Sequence, residues 1–188
     1  MTDSTRTTRR IVITGGPGSG KTTLVRALAE RGYPTVPEVA IQIIEELNEK
    51  YGVDGQKTWR RGHGTEFQRM ILDRQVQLET GLADDLGPVF LDRGRHDGLA
   101  YCRFRGDEPP PGLLEALEGW RYDAVIQLTT LANFEERQAT GRMSSREDSV
   151  AIGGQIVAAY REYGMDVIIV PELPVEARVD RVLQFLAE

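Results

Sequence analysis

Cysteine is nearly missing from this sequence: Cys102 stands alone among 188 residues. A single thiol cannot build an internal disulfide framework, which suits a reducing compartment such as the cytoplasm and makes Cys102 a small core residue rather than a nucleophile. Lysine is scarce too, with Lys21, Lys50 and Lys57 as the full set. The other cations are arginines scattered along a chain of net charge −6. That distribution argues against a nucleic-acid partner, because phosphate contacts need clustered cations. No apolar run approaches the ~18 residues of a membrane span, so no membrane partner is expected. The two histidines, His63 and His96, lie far from any Cys or carboxylate cluster with zinc-ligand spacing. What remains, 40% of it hydrophobic, is the size of one domain with a sizeable core. The expected organisation is a single domain over residues 10–188 behind a Ser-, Thr- and Arg-rich tail, residues 1–9, expected to be disordered.

The strongest motif is Gly15-Gly16-Pro17-Gly18-Ser19-Gly20-Lys21-Thr22, directly after the apolar run Ile11-Val12-Ile13. It fits G-x-x-x-x-G-K-[ST] at every specified position, with a strand before it and a helix after it, as a phosphate-binding P-loop requires. The loop must wrap an anion with its backbone N–H groups, and Cβ atoms would obstruct that. Lys21 would reach the β- and γ-phosphates, and the Thr22 hydroxyl would ligate Mg²⁺. Thr23 begins the helical continuation, whose N-terminal partial charge favours phosphate. A dinucleotide-binding G-x-G-x-x-G fails here, because Lys21 or Thr23 falls where its last glycine should be.

Strands alternate with helices along the rest of the chain, which means α/β architecture with a parallel sheet covered on both faces. The expected strands are Arg10 to Thr14, Tyr33 to Glu38, Val89 to Leu91, Ala124 to Leu128 and Val167 to Val170. Expected helices run from the P-loop to Arg31, Val39 to Glu49, a helix opened by a Thr65-x-x-Gln68 capping box, Asp97 to Arg105, a helix capped by Asp148 to Tyr163, and a closing helix after Pro174 that buries Val175, Val179, Val182 and Leu186. Glycines make Tyr51 to Gly64 read as a loop, and Pro109-Pro110-Pro111 as a stiff one.

In such sheets ligands bind at the carboxyl ends of strands, so chemistry belongs to residues that follow them. Asp92 ends the third strand, where a P-loop protein keeps the acid that holds Mg²⁺; it reads alternatively as a helix N-cap. Arg93 beside it reads as a clamp on a phosphate oxygen or as a surface ion pair. Glu38 reads equally as the base that takes an acceptor's proton and as a solvated turn residue. Asp97 is either a holder of acceptor hydroxyls or a helix cap. Arg137, Arg142 and Arg146 lie between the fourth strand and the next helix, where lid arginines would stabilise charge in phosphoryl transfer; Arg142 is the best placed and Arg137 would touch the nucleotide. Trp59, Phe67 and Gln75 fall where an acceptor would bind, with Phe67 favoured as core, and a purine would lie near Pro171-Glu172.

Together, the P-loop, Gly32-Tyr33-Pro34 leading to Pro37-Glu38, Phe67-Gln68, Asp92-Arg93-Gly94 with Asp97 and Tyr101, Tyr163-Gly164 and Val170-Pro171 resemble the small AAA-type P-loop ATPase family. That family is related to the nicotinamide-riboside kinase domain of the bacterial NAD-biosynthesis regulator and, more distantly, to deoxynucleoside and thymidylate kinases. The resemblance implies a three-layer fold with a five-stranded sheet in the order 2-3-1-4-5, ATP with Mg²⁺, and phosphoryl transfer to a small acceptor. The chain departs from relatives twice. Ala139-Thr140-Gly141-Arg142 keeps the arginine of an Asp-Gly-x-Arg lid and loses its acid, and Ile41 stands where many have a basic residue, leaving Glu38 short of a cationic neighbour. The leading expectation is a Mg-dependent small-molecule kinase. The alternative is a regulatory ATP-binding switch acting on a protein partner.

Overall fold

A computed structural model describes residues 8–134 and 145–187. Twelve elements follow in chain order: β1 (Arg9–Thr14), α1 (Lys21–Glu30), β2 (Thr35–Val36), α2 (Val39–Gly62), α3 (Gly64–Thr80), β3 (Pro88–Asp92), α4 (Arg95–Arg105), α5 (Leu113–Leu117), β4 (Ala124–Leu128), α6 (Arg146–Glu162), β5 (Val167–Val170) and α7 (Val175–Ala187). The strands form one sheet in the order β2-β3-β1-β4-β5, and every pairing is parallel.

The central strands carry the apolar runs Ile11-Val12-Ile13, Val89-Phe90-Leu91 and Ala124-Val125-Ile126 because both faces are covered. Side chains alternate across the sheet. Val12, Leu91 and Val125 face a core completed by Leu99, Ala100, Leu113, Ile152, Ile156 and Tyr160 of α4, α5 and α6. Ile11, Ile13, Phe90 and Ile126 face the opposite core, with Leu24 and Leu28 of α1 and Val179 and Val182 of α7. A satellite core joins Val39, Ile43 and Leu47 of α2 to Phe67 of α3.

Several boundaries differ from expectation. Of the expected tail, residues 1–7 lie outside the described residues, whereas Arg9 is in β1 and Thr8 is buried, donating to Ala83 O at 2.6 Å and accepting from Leu86 N at 2.9 Å. β2 is only two residues long, since Pro34 and Pro37 remove donors on either side of it. The stretch read as a loop from Tyr51 to Gly64 is helical apart from His63, which separates α2 from α3, and Gly52, whose φ of 73° breaks the path of α2. The helix resumes because it has surface to bury: Gln56 is inaccessible and the Trp59 ring stacks between Tyr51 and His63. Thr65 does not cap α3; the helix starts at Gly64, and the Thr65 hydroxyl donates to Glu108 O at 3.3 Å. Ser145, not Asp148, caps α6, with Asp148 returning the bond as the other half of a capping box. Val175 is exposed, while Val179 and Val182 are buried as expected.

Candidate active site

The P-loop, residues 15–22, links the end of β1 to the start of α1, so its anion-facing backbone begins where a central strand stops. Gly18 has a φ of 75°, and a Cβ there would run into the Phe134 ring. Gly16 lies so close to Ser149 that a Cβ would overlap the Ser149 carbonyl. Ser149 itself is buried; its hydroxyl donates to Pro17 O at 2.5 Å and pairs with the Thr130 hydroxyl at 2.8 Å. The first turn of α6 thus buttresses the loop, a role no sequence pattern announced. Arg178 of α7 braces the loop from the other core, donating from Nη1 to Ser19 O at 2.8 Å.

Lys21 is buried, and its Nζ donates to Gly16 O at 2.9 Å and Ser19 Oγ at 3.2 Å. Burial, with Arg93 nearby, pulls its pKa down to about 7 against the opposing pull of Glu38, Asp92 and Asp97. Those same four charges therefore converge on one ammonium group.

Thr22 and Asp92 meet at the loop's exit: the Thr22 hydroxyl donates to Asp92 Oδ2 at 2.8 Å. Asp92 Oδ1 is buried without a hydrogen-bond partner. Burial first, and Glu38 second, push the Asp92 carboxyl above the usual carboxylate range. A buried acid with one oxygen unspent beside a threonine hydroxyl fits a divalent cation, which would satisfy the orphan oxygen. Among the described residues no group of three or more His, Cys, Asp or Glu could hold a metal. Magnesium needs none, since it is commonly held by one or two protein oxygens plus phosphate and water. Asp92 is not an N-cap; α4 is capped at Gly94 with Asp97 as its third residue.

Glu38 is not a solvated turn residue. It precedes α2 and has a side chain only 12% exposed. Its Oε1 accepts from Arg93 Nε at 2.9 Å, so the cation expected from the position of Ile41 comes instead from the tip of β3. Arg93 Nη1 also donates to Asp97 Oδ1 at 3.1 Å and Gly15 O at 3.3 Å, and its guanidinium lies 5.2 Å from the centre of the Tyr101 ring. Burial would lower its pKa, but Tyr101, Glu38, Asp97 and Asp92 together drive it well above the ordinary value. Arg93 has a φ of 81°, an uncommon conformation for a non-glycine residue that persists only where its surroundings fix it.

Those surroundings were invisible in the sequence. Gln75 Nε2 donates to Arg93 O at 3.3 Å and to Glu79 Oε1 at 2.7 Å. Glu79, wholly buried, accepts from Arg95 Nε at 2.7 Å and the Tyr122 hydroxyl at 2.8 Å, and Arg95 lies 3.5 Å from the centre of the Trp120 ring. Burial pushes the Glu79 carboxyl up, and its three donors hold it back. Asp97 is likewise internal, accepting from Thr14 Oγ1 at 2.6 Å and Tyr160 at 2.7 Å. It orients Arg93, and no oxygen of it is left over for an acceptor hydroxyl.

A cavity of about 350 Å³ opens beside the P-loop, lined by Gly20, Thr23, Leu131, Glu172, Pro174 and Arg178 among others. Its size is within the ~300–1,000 Å³ range of ligand sites. None of Glu38, Asp92 and Arg93 lines it. Arg137 and Arg142 lie outside the described residues, and Arg146 is exposed on the first turn of α6. Phe67 is core, and Gln75 supports Arg93 rather than facing solvent. Cys102 is buried, and burial raises its thiol to about 11, in keeping with a packing role.

A family model described as an AAA domain matches residues 10–178. A shikimate kinase from Caldicellulosiruptor saccharolyticus is 28% identical over 104 residues, 53% of this chain. The match spans about three fifths of that curated relative, 60% of its length. Among solved structures, deoxyadenosine kinase from M. mycoides with the products dCMP and dCDP superposes with a TM-score of 0.68 at 17% identity, covering 95% of this chain and 98% of that one. Thymidylate kinase from Candida albicans gives 0.62 at 13% identity, covering 95% and 91%. At such identities the structural likeness is one of fold.

Proposed function

The chain belongs to the AAA domain family, and from that premise we propose that it is a small-molecule kinase, moving the γ-phosphate of ATP to a hydroxyl of a nucleoside-like or metabolite acceptor. The kinship read from the sequence with nicotinamide-riboside kinase domains is part of this proposal. The observation that carries it is the convergence of two pairs at the mouth of the P-loop, Thr22 with Asp92 and Arg93 with Glu38.

The loop amides and Lys21 hold the β- and γ-phosphates of the substrate, and the purine lies in the cavity bounded by Leu131 and Pro174. Thr22 and Asp92 would hold Mg²⁺, which when bound neutralises charge on the phosphate oxygens. Glu38 takes the proton of the acceptor hydroxyl as its oxygen bonds to the γ-phosphorus; the bond to the β–γ bridging oxygen breaks, and ADP leaves with that electron pair. Arg93 keeps the Glu38 carboxylate aimed and, held against Gly15 O, is placed to touch a terminal phosphate oxygen. Arg142, and Arg137 at the nucleotide, remain the proposed lid arginines.

The test is ATP consumption across a panel of nucleosides, nucleotides, ribosides and hydroxy acids. One class should raise the rate above water, and Glu38→Gln should lower turnover by ~10²–10⁴ while ATP affinity holds. A rate that no acceptor moves, with ATP-dependent capture of a protein partner, would favour the regulatory switch instead.

A further inference from the structure

Resting on the kinase reading above, we propose that the acceptor is an anion, whose phosphate or carboxylate group, at the end remote from the reacting hydroxyl, is held between Arg60 of α2 and Arg105 of α4.

Two walls lead from the acidic cluster to this pair. Along one, α2 starts beside Glu38 and packs through Val39 and Ile43 on Phe67, and the Arg60 guanidinium lies 5.4 Å from the centre of the Phe67 ring. Along the other, Tyr101 stacks on Arg93, and Arg105 follows four residues later on the same face of α4, about 6 Å farther along its axis. The walls meet where Arg105 Nη2 donates to Arg60 O at 3.4 Å. On this proposal an acceptor whose hydroxyl faces Glu38 extends its far end toward these two guanidinium groups.

One member of the pair, Arg60, has no carboxylate partner among the described residues. Arg105 is paired with Asp107 at 2.7 Å. Arg60 donates to the neutral Gln56 Oε1 at 2.7 Å, and among the described residues no carboxylate forms an ion pair with it. Burial, then Arg105, holds its pKa below the ordinary guanidinium range, so an added anion would relieve a real cost. Residues 50–63 carry Lys50, Lys57, Arg60 and Arg61 against Asp54 alone, in a chain of net charge −6. The planar guanidinium matches both phosphate and carboxylate.

The experiment is calorimetric binding of matched pairs to protein saturated with Mg²⁺ and a non-hydrolysable ATP analogue, which keeps phosphates out of the P-loop. Thymidine is set against thymidine 5′-monophosphate, ribose against ribose 5-phosphate, and glucose against gluconate. In at least one pair the anionic member should bind tenfold tighter or more, and the winning pair separates phosphate from carboxylate. Arg60→Gln should erase that margin, Arg60→Lys should restore part of it, and affinity for the ATP analogue should not change in either. Equal binding of both members in every pair, or a margin that survives Arg60→Gln, overturns the proposal. Acceptor-independent ATP turnover with the margin intact would count against the kinase reading and leave this site standing.

Discussion

Asp92 illustrates how much one residue's surroundings decide. By sequence it was either a cation ligand or a helix cap; in the fold it is buried, bonded to Thr22 through one oxygen and left with nothing on the other. Replacing it with Asn keeps the shape and removes the charge, so the Mg²⁺ dependence of nucleotide binding should weaken by tenfold or more, about 1.4 kcal/mol, in titrations with and without the metal, while metal-free affinity is retained or improved. Unchanged Mg²⁺ dependence would take Asp92 out of the cation's shell. Lys21, Thr22, Asp92 and Glu38 were legible as candidates because each follows a strand or sits in a loop motif with fixed spacing. The Glu38–Arg93 pair was not, because the partners are 55 positions apart and only the adjacency of β2 and β3 brings them together.

At the scale of elements, the device that fixes Arg93 is the buried network joining α3 to the start of α4. Glu79→Gln would leave Arg95 charged and buried without its carboxylate, a change that costs about 3–5 kcal/mol. Its melting temperature should fall by about 6–20 °C, with kcat falling more than nucleotide affinity because Arg93 loses its support. A variant that melts like the parent would show that Gln75 and Tyr122 hold the junction alone. This network escaped sequence reading because Glu79 and Arg95 look like the solvated charges of any helix surface. The helix from Tyr51 to Gly62 escaped for a different reason: glycine is a strong breaker on average, yet here it breaks at Gly52 alone, and side-chain stacking carries the helix through Gly55. The strands β1, β3, β4 and β5 were read well because each holds a continuous apolar run, whereas β2, between Pro34 and Pro37, proved only two residues long.

For the whole molecule, the parallel sheet with its two-sided core follows from alternation of strand and helix, the strand order is the one the family resemblance implied, and no described helix is long and apolar enough to cross a membrane. One buried group ties global stability to pH. His96 is inaccessible, ringed by Tyr122, Tyr160 and Tyr163, and neither ring nitrogen has a hydrogen-bond partner. Burial, with Arg121 and Arg95, lowers its pKa from 6.5 to about 3. The folded state thus keeps the ring neutral while the unfolded chain takes up a proton below pH 6.5, so folding loses stability as pH falls. The slope is about 1.4 kcal/mol per pH unit, and this group contributes nothing to it above the unfolded value. Stabilities from denaturant unfolding between pH 6.5 and 5 should fall more steeply in the parent than in His96→Phe, the difference approaching that slope toward pH 5. Equal slopes would mean that the imidazole titrates normally in the fold.

The most direct test of the account is isothermal titration of Mg²⁺–ATP into the protein and into Lys21→Ala. The account predicts one saturable site per chain in the parent and affinity reduced by at least a hundredfold in the variant. Saturable binding that is indifferent to Lys21, or no binding by the parent at all, would contradict it.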